Sequence, residues 1–244
     1  FHLSINYTKE TIEVMGSFII ALFPLMLGLV ASLGQVTQVA FFHPFIVMLL
    51  PFSNILLTKF VFPLLYLAVL LVVISQLNDR FKATQLAELL RSISLTSLGL
   101  YIGIFLTILS IQGTVTAVQD GVALKTTKFI TSNFIPVIGQ SVTDAADTIL
   151  AASLLIKNTI GIVGLIVIVL YAVFPAIKIA VIAFMYKLVA ALLQPLAPKE
   201  IIRSLQTISS YMIYILASLL AMTFTLFLTI VILIGASHLP LLLR

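Results

Sequence analysis

The chain has no cysteine and no tryptophan, and only 9% of its 244 residues are charged. Without cysteine there are no disulfides, thiol nucleophiles, Cys-type metal sites or palmitoylation. Histidine occurs only at 2, 43 and 238, too sparsely for a His-based metal or catalytic cluster. A soluble domain of this size carries roughly a quarter of its residues as charge. The shortage here excludes an ordinary soluble enzyme, a nucleic-acid-binding module and a disordered chain. What is present is apolar: 61% of the residues, with a net charge of +5 and no basic block. The cations are spread along the chain, as expected of short loops and helix ends at lipid headgroups rather than of a nucleic-acid surface. The reading is an all-α polytopic membrane protein with the lipid bilayer as its first partner. The chain opens at Phe1 with neither methionine nor a positive n-region, which reads as a start removed or lying elsewhere.

Runs without formal charge mark the expected spans. Residues 14–58 give 45 in a row, 60–78 give 19, 92–119 give 28, 158–177 give 20 and 204–237 give 34. One crossing needs about 20, so the first run is expected to hold two segments, broken near Gly34, Pro44 or Pro51. The stretch 178–196 stays apolar despite Lys178 and Lys187. Lys178 is expected to snorkel, and Lys187 to pair with Asp144 or Asp147. Residues 78–93 place Leu86, Leu89, Leu90 and Ile93 at i, i+3, i+4, i+7. Together with the shorter 199–205 they predict amphipathic helices lying on the membrane surface.

Shifted by 112 residues, the chain matches itself. Val61-Phe62-Pro63 falls on Val173-Phe174-Pro175, and Glu88, Arg91 and Ser92 fall on Glu200, Arg203 and Ser204. Nine of the 37 positions from 61 to 97 are identical. Pro24 falls on Pro136. The expected architecture is two repeats of about 110 residues, 1–113 and 114–244, within one membrane domain. Each repeat reads as a helical hairpin, re-entrant or fully crossing, followed by three transmembrane helices and a surface helix. For the first repeat the segments are 14–43, 45–59, 60–78, 79–93 and 95–113; for the second, 126–156, 158–173, 174–192, 197–205 and 207–235. Three crossings after a hairpin is an odd number, so the repeats are expected to be inverted. On that assignment Lys9, Arg80, Lys82, Arg91 and Arg244 share one side, against Lys59, Lys125, Lys128, Lys157, Lys199 and Arg203 on the other. The balance leaves orientation undetermined by the positive-inside rule.

The polar stretch 112–157 lies between apolar spans. Pro136 to Gly139 reads as a turn, and Ser141 with Asp144 has capping-box-like spacing. Polar groups at membrane depth are tolerated when buried in protein or lining water. Asn133, Pro136, Gly139, Gln140, Asp144, Asp147 and Lys187 are therefore the candidate path-lining residues. Glu88, Arg91, Glu200 and Arg203 are the candidate contacts of the surface helices. No G-x-S-x-G, Walker A or H-E-x-x-H motif occurs, so neither an enzyme nor a metal or other cofactor is expected.

The run QGTVTAVQDGVALKTTKFITSNFIPVIGQSVTDAADTILAASLLIKNTIG and the terminal ILIGASHLPLLLR resemble the stage III sporulation protein AE family of endospore-forming bacteria. The resemblance implies a multipass protein of the mother-cell membrane around the forespore. It implies partners from the same operon, among them a secretion-type ATPase and ring-forming proteins, in a channel or feeding-tube apparatus; no catalytic residues come with it. A signal peptide in the family would put 78–93 on the intercellular side and 199–205 in the mother-cell cytosol. Two rival readings are a membrane scaffold that conducts nothing and an independent transporter of a small metabolite. Homo-oligomerisation is left open.

Overall fold

The computed structural model describes the backbone of residues 1–33, 36–77, 82–134 and 138–235; the side chains at 36–38, 41–42, 111–134, 138–147, 149–150 and 235 lie outside the description. Everything described is helix or short turn. The helices are α1 (His2–Ser32), α2 (Val36–Ile55), α3 (Phe62–Leu77), α4 (Thr84–Phe134), α5 (Ile138–Leu192) and α6 (Lys199–Gly235). A π-helical turn, Leu56–Val61, joins α2 to α3 without a break. Five runs are long and apolar enough to cross a membrane: His2–Ser32, His43–Leu77, Thr84–Ser110, Ala151–Leu192 and Lys199–Ile234.

The prolines that sequence analysis takes as span starts lie inside continuous helix. Pro63 has no N–H and its ring would press on the carbonyl four residues earlier. The preceding turn widens instead, so that Phe62 N–H bonds Leu57 O. Pro175 lies within α5. The expected pairs of spans 45–59 and 60–78, and 158–173 and 174–192, are thus each one run. The surface helices at 79–93 and 197–205 are also not separate: 84–93 opens α4 and 199–205 opens α6. Neither junction contains a Gly or Pro, and a break in an apolar medium would expose backbone groups with no water to bond.

Hydroxyls follow the same logic. Thr8, Thr11, Ser97, Ser110, Thr159, Ser210 and Thr223 each donate to the carbonyl four residues back in their own helix. A lipid-facing hydroxyl is satisfied this way without a tertiary partner. The few hydroxyls that bond across helices are therefore informative.

The contacts divide the chain into two compact units. The first comprises Phe1–Gly16, Leu50–Ile104 and Val169–Thr225; the second comprises Ser17–Leu49, Phe105–Ile168 and Leu226–Arg244. In the first unit, Ser94 Oγ donates to Val61 O at 3.2 Å and Ala83 N–H to Ser75 Oγ at 3.2 Å, so α3 and α4 are antiparallel. Ser209 Oγ donates to Ala183 O at 2.7 Å, and a tight turn at 193–198 joins α5 to α6, also antiparallel. Gln76 Nε2 donates to Thr207 Oγ1 at 3.0 Å, which brings the end of α3 to the start of α6.

The helices related by the 112-residue shift therefore run in the same direction. Arg91 meets Tyr214, and ten residues further along α4 Tyr101 bonds Thr225, eleven residues along α6. Parallel α4 and α6 overturn the expected inversion. They also overturn the placement of 78–93 and 199–205 on opposite sides, since Lys82 and Arg91 belong to the same end as Lys199 and Arg203. The error lay in the crossing count. Each proline-containing run crosses once rather than twice, which changes the parity.

Candidate functional site

The first unit buries a chain of hydroxyls in an apolar core. Ser53 of α2 is fully buried, and its Oγ lies 2.5 Å from Tyr101 Oη of α4. Tyr101 also bonds Thr225 of α6. Thr225 in turn donates to Ala221 O at 2.9 Å. Either hydroxyl can donate in the contact between Ser53 and Tyr101, so the chain of hydroxyls carries no fixed direction. This relay joins three helices that are far apart in sequence. Beside it, Asn54 Oδ1 is buried without a hydrogen-bond partner, while the Asn54 carbonyl accepts from Thr58 Oγ1 at 2.7 Å. The π turn and the bond from Ser94 to Val61 follow within two turns; π-bulges are frequent at functional sites. Such a seam can orient a polar solute or water, or pass a proton along hydroxyls.

Towards the end where α4 and α6 begin, Arg91 is half-buried. Its guanidinium stands 5.8 Å from the Tyr214 ring centroid, with a long 3.5 Å contact from Nη1 to Tyr214 Oη. Tyr211 meets Tyr214 edge-on at 5.5 Å. The main attraction is cation to ring face. Glu88, Glu200 and Arg203 are exposed. The structure thus brings the Glu88–Arg91 and Glu200–Arg203 helix starts to one end of this unit, with Arg91 alone engaged in the packing.

Among the described residues of the second unit, Lys157 is the buried charged side chain, with Thr229 a second buried polar one. Lys157 is fully buried, and Nζ donates to Leu233 O at 3.3 Å and Ile234 O at 3.0 Å. Those carbonyls belong to the last turn of α6, where helical acceptors lack donors and a positive charge meets the negative end of the dipole. Close approach is possible because Gly161 and Gly164 continue the Lys157 face of α5. A Cβ on Gly161 would fall on Ile234, and one on Gly164 would come within 2.9 Å of Leu22.

Of the path-lining residues expected from sequence, Asn133 lies on α4 and Gly139, Gln140, Asp144 and Asp147 lie on α5, with side chains outside the described residues; Pro136 is outside them altogether. The re-entrant hairpin falls largely there. Its arms are helical and continuous with the spans of α4 and α5. Lys187 is exposed and lies on the same helix as Asp144 and Asp147, 40 residues after the latter. Lys178 is also exposed, 4.9 Å from the Tyr7 ring centroid. Sequence reasoning missed Ser53, Tyr101, Thr225 and Lys157. Lys157 entered only as the edge of an uncharged run and as one of the cations assigned to a side, although the small residues four and seven positions on signalled a packed face.

Long apolar helices, locally satisfied hydroxyls and a few interhelical polar bonds define a polytopic helical membrane protein. The chain belongs to the stage III sporulation protein AE family, whose model matches residues 1–237. It is 46% identical, over all 244 of its residues, to the stage III sporulation protein AE of Bacillus subtilis (strain 168). It spans 61% of that relative's length. No solved structure matches it.

Proposed function

We propose that the chain is the membrane-embedded, channel- or transporter-like part of a conduit between mother cell and forespore, set in the mother-cell membrane that surrounds the forespore. The hydroxyl relay Ser53–Tyr101–Thr225 carries this reading. Interhelical hydroxyl bonds in a bilayer contribute only modestly to stability, so a buried chain of them beside the unpartnered Asn54 oxygen suits a polar path better than a purely structural core. The polar 112–157 stretch of the second unit is a separate candidate lining on this reading, with Asp144 and Asp147 as its charged groups. Proteins of the same operon, including a secretion-type ATPase and ring-forming proteins, supply the energy and the extension across the intercellular space.

The test is Tyr101→Phe, which keeps the ring and removes the hydroxyl. Sporulation and late forespore gene expression should fall while the protein remains in the membrane at its normal level. Normal sporulation with Tyr101→Phe and with Ser53→Ala would leave the relay a packing feature and remove the path reading. A scaffold reading has its own support, the exposed Glu88, Glu200 and Arg203 gathered at one end of the first unit. It requires that reversing these charges abolish assembly with the operon partners.

A further inference from the structure

Lys59 and Glu13 are both exposed in apolar spans from which neither can be excluded. Any 20-residue window of the 35-residue run His43–Leu77 contains Lys59, and any such window of the 31-residue α1 contains Glu13. Among the described residues neither makes an ion pair or a side-chain hydrogen bond, and the same holds for Glu10. Charges facing lipid are costly and are normally paired within protein.

The three groups lie at similar depth. Phe1 and His2 pack on Tyr66 at 6.2 and 6.3 Å. Lys59 lies seven residues below Tyr66, roughly 10 Å, and Glu10 eight residues beyond His2, roughly 12 Å. Glu13 is about one turn deeper. α1 descends in this direction because Tyr7 next meets Lys178, which is 14 residues from the end of α5, whereas Tyr66 is 11 from the end of α3.

We propose that this layer is an interface between copies of the chain, in which Lys59 of one copy pairs with Glu10 or Glu13 of the next. The cation is on the π turn and the carboxylates are on α1, at similar depth and unjoined within the chain. Copies standing side by side in the same orientation keep that depth, so Lys59 of one meets Glu10 or Glu13 of the next in a heterologous contact that propagates into a ring or an array. Exposed apolar neighbours flank these charges, among them Ile55 and Phe60 beside Lys59 and Val14 beside Glu13. This goes beyond the conduit reading and stands independently of it.

The lack of native cysteine makes the test direct. Chains carrying Phe60→Cys and chains carrying Val14→Cys are co-expressed in membranes and oxidised. A disulfide-linked dimer of twice 26.6 kDa should form. Lys59→Glu in the Phe60→Cys chain should lower its yield at least severalfold, and Glu10→Lys with Glu13→Lys in the other chain should restore it. The proposal is overturned if no dimer forms, if its yield ignores these charges, or if only a chain carrying both cysteines links, within itself. Because linkage is read without sporulation, its failure leaves the conduit reading standing.

Discussion

The ammonium of Lys157 donates to the carbonyl of Ile234 at 3.0 Å, so a lysine of α5 closes the last turn of α6. Lys157→Met keeps an unbranched side chain one atom shorter and removes the charge. Two carbonyls then lose a charge-assisted donor, a loss of about 2–3 kcal/mol. Thermal unfolding of the protein in detergent should show a lower midpoint. An unchanged midpoint would mean that water replaces the ammonium freely and that the cap is incidental.

Gly161 is held by space. Ile234 and Met26 lie where its side chain would be, the former in overlap with any added Cβ. Gly161→Val should destabilise by about 1–3 kcal/mol through overpacking, and Gly161→Ala by less, since the Ile234 side chain can turn away. Gly99 and Gly103, which have nothing within 4 Å of an added Cβ, are the controls: alanine there should leave the unfolding midpoint unchanged or raise it.

Ser53 and Tyr101 should behave as one unit. Ser53→Ala and Tyr101→Phe each break the same bond, so the double variant should lose clearly less than the sum of the two, with a coupling of about 1 kcal/mol. Additive losses in denaturation would show that the 2.5 Å contact contributes nothing of its own.

Orientation is open to chemistry. Gln76→Cys and Thr207→Cys should be joined within one chain by a short bifunctional thiol reagent in membranes, because the native side chains meet at 3.0 Å. An impermeant thiol reagent should label cysteines placed at Lys82 and Arg203 from the same side. Labelling from opposite sides would restore the inverted arrangement.

Asp144→Asn and Asp147→Asn test the polar stretch between α4 and α5. If it lines a conduit, sporulation should fall while assembly with partner proteins is retained. Normal sporulation in both variants would confine these carboxylates to offsetting the helix dipole near the start of α5.

The sequence by itself determined what kind of medium this chain folds in and that its apolar runs are helical. Scarce charge and long apolar runs are local properties, and helix formation in lipid is compelled by the backbone's need for internal partners. The family was legible too, from the polar run at 112–161 and the terminal segment. The tertiary structure alone decided direction and site. Whether Pro63 or Pro175 ends a helix depends on the neighbouring turn, which widened at Leu56–Val61, and that one difference in crossing count turns inverted repeats into parallel helices. Lys157 looks like any span-end lysine until α6 brings its final carbonyls within 3.3 Å. Ser53, Tyr101 and Thr225 look like ordinary residues of apolar helices. Their partners are tens to more than a hundred residues away, and no local period encodes which hydroxyl meets which across a helix interface.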